Sequence, residues 1–114
     1  MSFLNTLLGT KDESTDKIII LEKADYASAI RRNDVQLVDV RTPKEYNEGH
    51  IPNAVNIDYY NSPEFIKQFK KLDPDKPLFL YCRSGARSLK SARRLIDMGF
   101  KKVYDLKGGY LQWG

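Results

Sequence analysis

The chain has 114 residues, 41% hydrophobic and 30% charged, which bounds it to one soluble globular domain and excludes a disordered or fibrous chain. Its net charge of +4 (sequence pI 9.2) suits small anions or acidic partners, and its aromatics do not interleave with Lys or Arg as nucleic-acid motifs require, so no nucleic-acid partner is expected. A single cysteine excludes an internal disulfide, a CxxC pair and a cysteine-rich zinc site, and no apolar run approaches the ~20 residues of a membrane span.

In chain order, "MSFLNTLLGT" lacks a charged n-region, and its apolar part is short and broken for a secretory signal. Residues 1–17 are therefore expected to be a flexible N-terminal leader, in which Phe3, Leu4, Leu7 and Leu8 could form one amphipathic turn. The lone thiol fits a reducing compartment, and a cytoplasmic location is expected. "KIIIL" (17–21) is a β-branched strand, and "EKADYASAIRR" (22–32) follows with Tyr26, Ala27 and Ile30 at helical spacing. "VQLVDV" (35–40) is apolar enough to be buried on both faces.

"TPKEYNEGH" (42–50) opens a short helix: Thr42 is the N-cap, Pro43 follows it, Glu45 completes a capping box and Gly49 ends it. "AVNI" (54–57) is the third strand. In "SPEFIKQFKKL" (62–72) Ser62 is expected to cap, with Phe65, Ile66 and Phe69 facing inward. Lys67, Lys70, Lys71 and Lys76 read as a solvated face. "LFLYC" (78–82) is the most apolar strand and is expected at the centre. Ser88 to Met98 is an amphipathic helix stopped by Gly99, and "KVYDL" (102–106) is the last strand. Gly108 and Gly109 permit a tight bend, and Trp113 is a core plug.

Alternation of strand and helix predicts a parallel sheet covered on both faces, and such sheets bind ligands beyond the carboxyl ends of their strands. "DVR" (39–41) and "CRSGARS" (82–88) both fall there. A cysteine after an apolar run is most often a small buried hydrophobe. Here, however, Arg83, Ser84, Gly85, Ala86, Arg87 and Ser88 must turn the chain from strand to helix within a few residues, and Gly85 permits the reversal. Successive N–H groups in such a turn converge into an anion-binding nest, and the helix adds its positive end. Helix N-termini and neighbouring Arg favour thiolate over thiol, so the loop is built to hold a sulfur anion at Cys82.

"LVDVRTPKEYNEGHIPNAVNI" (37–57), "YCRSGARS" (81–88) and "VYDLKGGYLQW" (103–113) together resemble the rhodanese-like sulfurtransferases, in that family's order and spacing from about Ile18 onward. The resemblance implies a rhodanese-like domain over residues 18–114, with a three-layer α/β/α fold and a five-stranded parallel sheet. It also implies covalent catalysis at Cys82: a small anionic sulfur donor such as thiosulfate, a Cys82 persulfide, and a thiol, cyanide or protein acceptor. Loop N–H groups from Arg83 to Ser88 would hold the persulfide, and Arg83 and Arg87 would attract the donor. No cofactor is implied. Asn53 stands where family members often carry Gly, and Asn tolerates the same positive φ. A C-terminal extension common in the family is absent after Trp113, so the outer wall of the site is expected to differ.

The remaining candidates weigh less. His50 reads as a structural residue bonding backbone, and with one Cys it is too few ligands for a metal. Asp39 and Arg41 are expected to support the loop, Asp39 by accepting its N–H groups and Arg41 by pairing with a carboxylate such as Glu45. A phosphatase or arsenate reductase is disfavoured. Phosphatase loops place five residues between Cys and Arg, whereas four lie between Cys82 and Arg87. One fewer removes up to ~3.5 Å of contour, which suits a sulfur atom better than a phosphoryl group. A non-catalytic binding module is the other alternative, although the cysteine and its loop are both intact.

Overall fold

The computed structural model describes residues 9–12, 15–32 and 35–114. Five strands run parallel: β2 (Thr15–Leu21), β3 (Gln36–Asp39), β4 (Val55–Asn56), β5 (Leu78–Tyr81) and β6 (Val103–Leu106). A sixth, β1 (Gly9–Asp12), pairs antiparallel with β2 at the edge, giving the order β1-β2-β6-β5-β3-β4. The fold is the expected α/β architecture built on a five-stranded parallel sheet. The leader boundary expected at Ile18 falls inside β2, because Thr15 to Lys17 continue that strand and Gly9–Asp12 pairs with it. The amphipathic turn expected at Phe3 to Leu8 lies outside the described residues.

Strand alternation sends the two faces of the sheet into separate cores. One holds Val38, Leu78, Leu80, Cys82 and Val103 under α3 (Ser62–Phe69) and α4 (Ala86–Asp97). The other holds Ile19, Leu37, Phe79, Tyr81 and Leu106 under α1 (Lys23–Ile30), with Tyr46 of α2 (Pro43–Glu48) and Tyr110 of a 3₁₀ turn (Gly109–Gln112) packed alongside. Every residue of β5 is buried and the strand lies between β6 and β3, so the most apolar strand is central.

Local signals explain most of the boundaries. Thr42 and Glu45 form the full capping box: the Thr42 hydroxyl accepts the Glu45 N–H at 3.3 Å, and Thr42 N–H donates to Glu45 Oε1 at 3.1 Å. At α3 the cap is Asn61, one residue before the expected Ser62, since its longer side chain accepts the Glu64 N–H. Ile66 is 40% exposed rather than inward, because Phe65 and Phe69 set the buried stripe and Ile66 lies about 100° round the helix. Helix α4 begins at Ala86, two residues before the expected Ser88, because Gly85 (φ 112°) completes the reversal at once. Asn53 adopts φ 73°, as its place in the turn requires.

Phe65 anchors the α3 layer. It is fully buried, stacks obliquely on Phe69 at 4.6 Å between centroids and lies under the Arg94 guanidinium at 4.3 Å. Phe65→Ala should destabilise the protein by about 3–4 kcal/mol, read by urea unfolding with an unchanged slope.

Candidate active site

The loop after β5 carries the site. Cys82 continues the inward alternation of Leu78 and Leu80, so its side chain enters the core beneath α4 and the residue is only 1% exposed. The thiol thus lies at the floor of the loop rather than on an open rim. It is nonetheless addressed by the loop, because the Gly85 N–H donates to Cys82 Sγ at 3.0 Å. Gly85 is buried, Arg83, Ser84 and Ala86 are exposed, Arg87 is half-buried and Ser88 is buried.

The C-terminal turn sets the direction of the loop's peptide planes. Tyr110 N–H donates to the Cys82 carbonyl at 2.8 Å, and Leu111 N–H donates to the Arg83 carbonyl at 3.1 Å. Among the described residues no peptide bond is cis, so each N–H points opposite to the carbonyl of its own plane. With both carbonyls held toward the 3₁₀ turn, the N–H groups of Arg83 and Ser84 face away from it. The first-turn N–H groups of α4 have no intrahelical acceptor, and Gly85 at the N-cap has no side chain to take them. Helices α2 and α3 are capped by the Thr42 and Asn61 side chains, whereas α1 and α4 have no side-chain cap, so α4, which starts at the sulfur, keeps open donors.

Gly109 makes the clamp possible. A Cβ there would sit 2.5 Å from the Arg83 carbonyl oxygen and 2.6 Å from that of Cys82, and the residue has φ 66°. Gly109→Ala should therefore cost about 2–4 kcal/mol, read by thermal melting, and change the alkylation rate of Cys82 as the loop moves off the turn.

The charged residues pair differently from the expectation. Arg41 does not take Glu45. It spends its guanidinium on Asp39, at 2.7 Å, and on the Gly49 carbonyl, also at 2.7 Å. Asp39 in turn accepts the Arg41 N–H at 2.9 Å rather than N–H groups of the Cys82 loop. Asp39 ends β3 and Arg41 lies two residues on, just past the strand, which brings the two side chains together before any longer-range partner can compete. Both are buried, and the Arg41 guanidinium lies 4.4 Å over the Tyr110 ring. Burial opposes the Arg41 charge, but Asp39 outweighs it and raises the pKa. The pair therefore braces the 3₁₀ turn that holds the loop, a supporting role reached through Tyr110.

Glu45 instead receives Arg87, bidentately, at 2.8 and 3.0 Å. Arg87 holds the Glu45 carboxyl down at about 2, the opposing effect of partial burial notwithstanding, with Thr42 assisting. The Arg87 pKa rises, chiefly through Glu45 and also through the nearby Cys82 sulfur. The capping residue of α2 thus ties down the first turn of α4. Because its pKa is lower folded than unfolded, Glu45 contributes stability above about pH 4.5 that is lost as the pH falls toward 2. Glu45→Gln should lose about 2–3 kcal/mol at neutral pH, and its deficit against the wild type should vanish over that acid range in pH-dependent urea melts.

His50 bonds backbone, its Nδ1 2.8 Å from the Tyr46 carbonyl, and stacks on the Tyr46 ring. Trp113 is half-buried, edge-on to Tyr26 at 6.4 Å between centroids. Sequence reasoning passed over the Tyr110 and Leu111 amides and the carboxylate partner of Arg87, which shape the site, and over the buried Asp105. Only Asp105 left a local signal, a charge inside the buried run of "VYDL". Among the described residues no group of three or more His, Cys, Asp or Glu side chains could hold a metal ion. None of their helices is long and apolar enough to cross a membrane.

The Rhodanese-like domain family matches residues 22–114, and the chain belongs to it. It is 38% identical over 87 residues to the thiosulfate sulfurtransferase GlpE of Pseudomonas syringae pv. syringae, covering 76% of this chain and 79% of that protein. It is also 36% identical over 96 residues to the tRNA uridine(34) hydroxylase of Cytophaga hutchinsonii, covering 82% of this chain but 31% of that protein. A rhodanese-like domain protein from Staphylococcus aureus superposes with a TM-score of 0.73 at 27% identity, over 83% of this chain and 90% of that one. By family, the chain is a rhodanese-type sulfurtransferase.

Proposed function

We propose that the protein moves a sulfane sulfur from a small anionic donor, thiosulfate or a persulfide, to a nucleophilic acceptor through a persulfide on Cys82. The observation that carries this reading is the Gly85 N–H directed at Cys82 Sγ at 3.0 Å, beside the open N-terminus of α4. The Cys82 thiolate attacks the outer sulfur of thiosulfate, a new S–S bond forms at Cys82, and the donor's S–S bond breaks with its electron pair leaving on sulfite. The terminal sulfur then carries the negative charge, which the loop amides and the helix end stabilise. A thiol, cyanide or a protein nucleophile attacks that sulfur and returns Cys82 to the thiolate.

Arg83 is exposed and free to draw the anionic donor inward. Arg87 is held by Glu45, so it contributes a fixed positive charge rather than a mobile hand. A second reading, service in a tRNA-directed reaction like the one the Cytophaga relative is named for, has thinner support, since the alignment spans 31% of that protein. A docking module without chemistry would have no use for an amide aimed at the sulfur.

Incubation with thiosulfate or a persulfide donor should add one sulfur atom to the wild-type mass and none to Cys82→Ser. Cyanide should then remove it with release of thiocyanate. An unchanged mass with every donor would sink the enzymatic reading in favour of the docking module.

A further inference from the structure

A cleft of about 440 Å³ opens on the face of the sheet opposite Cys82 and serves none of the sulfur chemistry above. Its floor is apolar: Leu37 of β3 and Ile51 are buried there, in the core that also holds Phe79 and Tyr81. That floor is fixed, since the Ile51 N–H donates to the Tyr81 hydroxyl at 3.0 Å and Asn53 holds the adjoining turn at φ 73°. Ile30 of α1 and Trp113, both half-buried, line the sides. The volume falls in the range of small-molecule sites, which are preformed apolar hollows with a few polar groups at chosen places.

The charged groups here are all of one sign. Arg31 and Arg32, just past the last turn of α1, line the cleft and are exposed, and none of its described lining residues is acidic. Among the described residues neither side chain has an ion pair or a hydrogen bond, unlike Arg41 and Arg87, which carboxylates hold. The Arg32 charge is felt in the sheet: burial raises the Tyr104 pKa, and Arg32 opposes the rise. Cations are common at a helix C-terminus, where they offset a partial negative charge of about half a unit. Two guanidinium groups exceed that, and the surplus positive charge borders an apolar hollow. The Trp113 indole N–H also lacks an acceptor among the described residues.

We propose that this cleft binds a small organic anion with an apolar body, its carboxylate or sulfonate meeting Arg31 and Arg32 and its body lying on Leu37 and Ile51 beside Trp113. A guanidinium fork matches the two oxygens of a carboxylate, and such charge-assisted bonds are the strong ones. The body gains by leaving water for apolar surface. An uncharged analogue of the same shape keeps the second gain and loses the first, so charge is the discriminating feature. The sheet separates the cleft from Cys82, so the ligand neither receives sulfur nor blocks the donor, and the proposal stands apart from the sulfur chemistry.

Trp113 is the only tryptophan of the chain, so its emission, excited beyond the tyrosine band, reports on the cleft directly. Octanoate and naphthoate, each beside its uncharged amide, are titrated into the full chain and followed by this emission and by calorimetry. The proteins are wild type, Cys82→Ser and the double variant Arg31→Gln, Arg32→Gln. At least one of the two anions should shift the wild-type emission along a saturable one-to-one curve, and its amide should bind about tenfold more weakly. The double variant, altered only at exposed side chains, should melt as the wild type does and bind the anion no better than the amide. Cys82→Ser should bind the anion like the wild type, whether or not the wild type loads sulfur. Equal affinity for anion and amide, undiminished binding by the double variant, or no saturable curve with either anion overturns the site. An emission that moves with protein concentration alone, with a dimer on sedimentation, places a second copy of the chain in the cleft and overturns it as well.

Discussion

Two main-chain hydrogen bonds, from Tyr110 and Leu111 to the carbonyls of Cys82 and Arg83, fix the rest of the site. A strand-to-helix loop contains carbonyls and amides in equal number, and either set could face the sulfur. Facing carbonyls would repel a sulfur anion and facing amides attract it. The peptide bond makes the two mutually exclusive, since anchoring a carbonyl on one side sends its partner N–H to the other. The choice is made outside the loop, by a turn at the far end of the chain whose amides reach those carbonyls only because Gly109 carries no side chain.

Further supports converge on that arrangement. Asp39 and Arg41 form a buried fork that carries the Tyr110 ring, so the turn is backed by charge held at low solvent access. Removing one partner of such a pair strands the other, which commonly costs about 3–5 kcal/mol. Glu45 holds the first turn of α4 through Arg87 while its second function, closing the capping box of α2, keeps it in place. The site is thus pinned from its back and its side, while Arg83 and Ser84 stay exposed.

This division explains how a nearly enclosed cysteine can still be addressed by the loop above it. Cys82 is packed into the core just past the end of a central strand, which fixes its position as firmly as a core leucine. What distinguishes it from a core leucine is the dipolar environment directly above it. Rigid packing below and oriented amides above are the two conditions for holding charge without reorganising the protein.

The five parallel strands, the four helices, the capping box of α2, the reversal at Gly85 and the positive φ of Asn53 were legible in the sequence because each depends on residues within a turn or two of one another. Thr42 and Glu45 are three apart, Phe65 and Phe69 four, and Gly85 directly precedes its helix. Their spacing alone identifies the lone cysteine as part of a built loop. The sequence does not determine who pairs with whom across the fold. Arg87 and Glu45 lie 42 residues apart, and Tyr110 comes 28 after Cys82. Such partners become neighbours only when the parallel sheet lines up its strand ends, so the tertiary structure alone decided which carboxylate each arginine received and which way the amides face.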